Sequence, residues 1–432
     1  MHYYTSITSN YLPKARVLAH SVKRHDPAAV FHLLLSDVPP PGWSLADEPF
    51  DTVLHLEDLG IEQHRSWAFK HALVEMCTAV KGPGALEIVR RHQPDKLVYF
   101  DPDIVVFGDL SVLSRELDAH SVLLTPHLTA PEASRAGVLD NEISALKHGI
   151  YNLGFLAFSC QGEGLRCMQW WAQRLLDFCR DDIPGGLFTD QRWADHIPAM
   201  FDGVRILRGP QYNVATWNLS NRTATGVAPD GIRINGQPLC FYHFSGLDSG
   251  AQETMLRLYG QQSPALFDLR RWYLAECDRH GQQSLGRLPS IYARYDNGEP
   301  ITKVQRVLYR ERLDLQRAFP DPFDTQDVNR SYWHWFMANA EAELGGAGRG
   351  AAAANAQAQD GGAEADAKPG GREGGDPAAG AVVAVLREEL SAVRRDLDAI
   401  HRSRAWRLAR ALSKLAAATG LARVARPGPG HG

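Results

Sequence analysis

Apolar positions in the first 200 residues follow two alternating rhythms. Short apolar or alternating runs at Tyr3–Thr8, Phe31–Leu35, Thr52–Leu56, Leu97–Phe100, Ile104–Phe107, Ser121–Thr125 and Phe155–Ser159 read as strands. Between them three segments carry helical spacing. These are Leu12–Arg24, with Val17, Leu18, Ser21 and Val22 on one side, Ser66–Val80, through Phe69, Leu73, Met76 and Val80, and Gly164–Cys179, with its Trp170-Trp171 pair. Strands alternating with helices predict an α/β fold around a mostly parallel sheet. In such sheets ligands bind beyond the carboxyl ends of the strands.

From Leu247 the pattern turns largely helical, and Ser331-Tyr332-Trp333-His334-Trp335-Phe336 closes the body as an aromatic packing anchor. The expected organisation is a 1–246 catalytic body, a helical extension over 247–344, a linker over 345–380 and a helical tail over 381–426. The linker is read from composition. Its 36 residues hold 11 Gly and 12 Ala and no Val, Ile, Leu, Met, Cys or aromatic, so nothing there offsets the entropy of ordering. In the tail, Leu386, Leu390, Val393, Leu397 and Ile400 make a short heptad seam that predicts self-association through 386–400. Residues 401–426 carry seven basic side chains, no acidic one, and Trp406. A basic, Trp-bearing amphipathic helix reads as a membrane-surface segment. Docking of the tail on the body stands as the alternative.

Charge and composition exclude several classes. With 46 Lys+Arg against 50 Asp+Glu the net charge is -4, which argues against a general nucleic-acid binder. No window approaches the roughly 18 apolar residues of a membrane span. The first residues lack the basic start and apolar run of a signal peptide, so the expected location is cytoplasmic, with peripheral contact at the membrane face through the tail. The six cysteines show no zinc spacing and are expected as buried thiols.

The chemistry concentrates in Leu97-Val98-Tyr99-Phe100-Asp101-Pro102-Asp103-Ile104. A buried strand delivers two carboxylates, and in extended backbone residues i and i+2 face one side. Hard divalent cations combine such carboxylates with substrate phosphates and neutralise a departing diphosphate. Asp and Pro also favour turns, so a turn capping the strand is the plain alternative. The same residues fit the D-x-D-x-[TV] pattern of haloacid-dehalogenase phosphatases, with Asp181-Asp182 as a later acidic pair. In that family, however, the motif lies near the start of the fold.

In motif order, residues 1–246 resemble the GT-A-fold glycosyltransferases, closest to the retaining family 8, with a Rossmann-like mixed sheet. The resemblance implies transfer of a sugar from a nucleotide-diphosphate donor, most often a UDP-sugar, to a glycan or lipid-linked acceptor hydroxyl. Asp101-Pro102-Asp103 resembles the family's D-x-D and implies Mn²⁺ or Mg²⁺. Thr8-Ser9-Asn10-Tyr11 resembles its base and ribose loop, with Thr8, Asn10 and Tyr11 on the nucleotide and Tyr11 stacking on the base. Lys70 lies where the family often has a basic residue near the donor, though a solvated helix position is its commoner role. Asn152-Leu153-Gly154 resembles the N-x-G segment that touches the sugar; a turn before a strand explains Asn152 equally. Asp190-Gln191 resembles the D-Q pair beside the anomeric carbon, and Asp190 also suits a helix cap. His243 resembles the late histidine that completes the metal shell. In an apolar run it would otherwise be a core histidine. The family's Lys after that histidine is missing from His243-Phe244-Ser245-Gly246-Leu247-Asp248-Ser249-Gly250. Arg222 or Lys70 is the expected substitute. A non-catalytic nucleotide-sugar-binding scaffold is a third reading.

Overall fold

The computed structural model describes residues 1–344; the expected linker over 345–380 and the tail segments 381–426, 386–400 and 401–426 lie outside the described residues. Met1–Ala293 form one compact unit, and a second begins at Arg294.

The first unit is built on β1 (His2–Ile7), β2 (Val30–Leu35), β3 (Thr52–His55), β4 (Lys96–Phe100), β5 (Ile104–Val106), β6 (Val122–Pro126), β7 (Tyr151–Ser159), β8 (Arg180–Asp182), β9 (Leu187–Thr189) and β10 (Val204–Ile206). Seven of these form one sheet in the order β10-β6-β7-β4-β1-β2-β3. β1 runs parallel to β2 and β4, β2 to β3 and β10 to β6, whereas β7 is antiparallel to both β4 and β6. The sheet is therefore mostly parallel, as the alternating pattern predicts, and mixed, as the resemblance implies. Leu97, Val98, Tyr99 and Phe100 of β4 are all buried, the continuous apolar run of a strand covered on both faces.

The helices follow from local signals. α1 (Leu12–His25) has Pro13 in its first turn and Lys23, Arg24 and His25 in its last, the placement that suits each helix end. The expected helix over Ser66–Val80 is instead α2 (His64–Phe69) and α3 (Leu73–Ala79). The chain breaks at Ala72, whose backbone is extended and whose N–H donates to Glu75 Oε2 at 2.8 Å, so the apolar spacing continues across a new helix start. α4 (Lys81–His92) follows at once. A Cβ on Gly82 would stand 2.5 Å from Ala172 Cα, so only glycine lets α4 lie this close to the helix Gly162–Phe178. That contact fixes where Lys81 begins α4.

Three short antiparallel strands, β11 (Ala224–Thr225), β12 (Arg233–Ile234) and β13 (Gln237–Pro238), precede β14 (Phe241–His243), which pairs with β5 in the register His243↔Ile104. Tyr3, Phe31, Phe100, Phe155 and Phe241 share one core cluster. A second cluster joins Val17 of α1, Val105, Tyr242 and Phe244 to Leu256, Leu266 and Tyr273 of the following helices. Phe244 stacks on Tyr273 with centroids 3.8 Å apart, which anchors the chain just past His243.

In the second unit Thr302 and Gln305 cap the helix Lys303–Glu311 reciprocally. Tyr332 is buried 5.1 Å from the Tyr309 ring and 6.0 Å from that of Phe319, the packing role expected for the aromatic stretch. Among the described residues no helix is long and apolar enough to cross a membrane.

Phe100→Ala removes a ring touching three other aromatics. The expected loss in chemical denaturation is about 3–5 kcal/mol.

Candidate active site

Asp101 and Asp103 meet through a turn. The Ile104 N–H donates to the Asp101 carbonyl at 3.0 Å, so Asp101-Pro102-Asp103 is the tight connection between β4 and β5 and not extended strand. The turn reading of this motif holds: proline and aspartate shape the turn, and the turn brings the carboxylates together. β14 supplies the third group. Its pairing with β5, and the Phe244 N–H donated to the Asp103 carbonyl at 2.9 Å, place His243 Nε2 3.1 Å from Asp103 Oδ1 and 3.8 Å from Asp101 Oδ2. One donor atom from each of the three lies within 4.8 Å of the others.

This set fits a divalent cation. Two donors bound to one ion at about 2.1 Å lie no more than about 4.2 Å apart, and both histidine–carboxylate distances satisfy that. Two carboxylates with an imidazole suit Mn²⁺ better than Mg²⁺. Burial opposes ionisation of Asp103, but His243 and then Lys14 outweigh it and hold the carboxyl below its ordinary range. Burial likewise disfavours the His243 cation, yet Asp103 and Asp101 raise its pKa above the usual value. Space for the ring comes from Gly154. A Cβ there would stand 2.4 Å from His243 Cε1 and 2.6 Å from Nδ1.

A second ionic layer lies beneath. Lys81, 3% exposed, places Nζ 3.1 Å from Asp101 Oδ1 and 2.9 Å from Asp190 Oδ2, and 4.3 Å over the Tyr99 ring. It also donates to the Leu153 carbonyl at 3.3 Å, while Tyr99 Oη donates to Asp101 Oδ1 at 2.6 Å. Burial would depress the lysine, but the two carboxylates overcome this and raise its pKa. Asp190 is raised by burial, opposed by Lys81. It follows Thr189, whose φ of +45° is costly for a β-branched residue.

Asn152 and Gln191 interlock. Gln191 Oε1 accepts from Asn152 Nδ2 at 3.3 Å and Leu153 N at 3.1 Å, and its Nε2 donates to the His148 carbonyl at 3.0 Å. Asn152 Oδ1 accepts from Gly154 N and from Asn213 Nδ2. The Gln191 amide is thus engaged at both ends in shaping the β7 entry. Asn213, His127 and Trp217 complete this wall. Burial takes His127 down to about 4, and the Trp217 ring meets His243 edge-on at 5.3 Å.

Thr8 Oγ1 donates to Asn10 Oδ1 at 2.7 Å. Tyr11 donates its hydroxyl to Asp248 Oδ2 at 2.6 Å, and Lys14 Nζ covers its ring at 4.1 Å. Two expected basic residues are placed differently. Lys70 lines a groove of about 740 Å³ with Trp67, Leu86, Leu176 and Asp177, which none of Asp101, Asp103, Asp190 or His243 lines. Arg222 is buried, its guanidinium donating to the carbonyls of Pro210 and Tyr212 at 3.0 and 2.7 Å. Lys81 is the basic residue paired with Asp101 and Asp190. Its signal in the chain is a lone charge within Ala79-Val80-Lys81-Gly82-Pro83-Gly84-Ala85.

No protein-family model matches the chain. It is 30% identical over 177 residues to the uncharacterized protein YfnF of Bacillus subtilis, covering 40% of this chain and 56% of YfnF. It is 26% identical over 254 residues to the uncharacterized protein YfnD of the same organism, covering 57% of this chain and 77% of YfnD. The chain therefore spans little more than half the length of YfnF. Similar solved structures include the galactosyltransferase LgtC with donor and acceptor sugar analogues, at TM-score 0.36 and 15% identity over 67% of this chain and 98% of LgtC. Another is the apo glycosyltransferase GlyE of Streptococcus pneumoniae, at TM-score 0.36 and 16% identity over 68% of this chain and 66% of GlyE.

Two outcomes follow from this geometry. Gly154→Ala pushes the His243 ring off the carboxylates, and calorimetry is expected to show Mn²⁺ affinity falling at least about 10-fold, with about 1–3 kcal/mol of stability lost to overpacking. Lys81→Met strands two carboxylates and is expected to cost about 3–5 kcal/mol near pH 7. Because Asp190 already has a raised pKa, the variant's deficit should shrink as pH falls and Asp190 takes up a proton. A deficit constant between pH 4 and 8 in denaturation would exclude the charge explanation.

Proposed function

We propose that this chain is a metal-dependent glycosyltransferase of the GT-A architecture, related in kind to the retaining family 8 enzymes. It moves a sugar from a nucleotide-diphosphate donor, most simply a UDP-sugar, to an acceptor hydroxyl in bacterial surface-glycan synthesis. The observation that carries this reading is the meeting of Asp101, Asp103 and His243 beside β4, with Lys81 tying Asp101 to Asp190.

In this reading Asp101, Asp103 and His243 hold Mn²⁺, which supplies Lewis-acid neutralisation of the leaving diphosphate. Lys81 and the Tyr99 hydroxyl hold Asp101 through Oδ1 and so aim it. Asp190 lies on the far side of Lys81 and is assigned to the sugar face, where an oxocarbenium-like charge develops. Gln191 serves that face by fixing Asn152 and the Leu153 amide. Thr8, Asn10 and Tyr11 take the base and ribose. The phosphatase alternative draws no support from Asp182, which caps a turn through Gly185 N at 3.1 Å.

Nucleotide release from UDP-, GDP- and dTDP-sugars, with and without Mn²⁺, tests the proposal. Metal-dependent release from one donor is expected, reduced about 100-fold or more in Asp103→Ala. Hydrolysis of an aryl phosphate, with neither binding nor release of any donor, would overturn it.

A further inference from the structure

The first unit buries three cations, Lys14, Lys81 and Arg222. Two are committed. Lys81 is matched by two carboxylates, and Arg222 by two backbone carbonyls. Lys14 is different. It is 3% exposed, in the first turn of α1, yet its partner Asp248 is 52% exposed and stands five residues past His243. A buried ammonium without a counter-charge costs several kcal/mol, so some anion must stand opposite it. Asp248 fills that place with both oxygens, 2.7 and 2.5 Å from Nζ, and also accepts the Tyr11 hydroxyl at 2.6 Å.

Two donors converging on one anionic group, one ammonium and one hydroxyl, also suit a phosphate oxygen. The position lies beside the elements that carry the metal ligands, since α1 packs against β5, which begins one residue past Asp103, and Asp248 follows His243 by five residues. Tyr11 belongs to the loop assigned to the nucleotide.

We propose that Lys14 is the cation that takes an oxygen of the donor's diphosphate, and that Asp248 is an internal competitor occupying it until the donor arrives. This rests on the nucleotide-sugar reading above. It places on α1 the positive charge that the segment after His243 lacks, and gives that segment the opposite sign. Donor entry then exchanges one anion for another at a cation that is never left bare. Asp248 moves to solvent at little cost because half of it is already there.

The test uses the full chain with Mn²⁺ and calorimetric titration of UDP, GDP and dTDP. The diphosphate that binds is compared with its own nucleoside. Lys14→Met is expected to weaken the diphosphate about 10- to 100-fold and leave the nucleoside unchanged. Asp248→Asn is expected to tighten the diphosphate about 3- to 10-fold, and in the double variant that gain should vanish. If Lys14→Met does not fold, Asp248→Asn alone decides. Unchanged or weaker diphosphate binding in Asp248→Asn would show the pair to be structural and overturn the inference. Failure of the wild type to bind any diphosphate would instead remove the nucleotide-sugar reading, and this inference with it.

Discussion

One lysine carries the arrangement of the site. Lys81 is enclosed at the start of α4, between two carboxylates and over the face of Tyr99. Lys81 is the shared counter-charge of both carboxylates, and Asp101 presents its second oxygen, Oδ2, toward His243 while Oδ1 stays with Lys81 and Tyr99. Such a cluster is poor at adding stability and good at fixing orientation. The close approach of α4 to the helix Gly162–Phe178, made possible by Gly82, aims Lys81 at that point. Scaffold packing and site electrostatics are therefore one problem with one solution.

The rest of the site is assembled from segments far apart in the chain. The turn after β4 gives two carboxylates, and a three-residue strand more than a hundred residues later brings the imidazole by pairing with β5. Gly154 of β7 is bare because the His243 ring occupies the space a side chain would take. Each contribution is small and local, and each is set by a backbone register. A register fixed by buried neighbours is hard to slip, which suits ligands that must meet within a fraction of an ångström.

Much of this was legible in the chain. The alternating pattern gives the mostly parallel sheet, because continuous apolar runs such as Leu97–Phe100 fit few other environments. The pair Asp101/Asp103 with His243 is legible through motif order. Four features were not. The turn geometry of Asp101-Pro102-Asp103 was hidden because extended and turned backbones both accept those residues. Lys81 was hidden because a lone lysine in small and apolar residues carries no spacing signal, and its partners lie 20 and 109 positions away. The break at Ala72 was hidden because the apolar spacing runs unbroken across it. Lys14 reads as an ordinary helix residue until Asp248 is seen against it.

The central claim is that Asp101, Asp103 and His243 form a single divalent-cation site. Anomalous diffraction at the manganese edge, from crystals grown with Mn²⁺ and a nucleoside diphosphate, tests it most directly. The account predicts one strong peak bounded by those three side chains, absent in Asp103→Asn. A peak elsewhere, or none in crystals of a protein whose activity requires the metal, would contradict it.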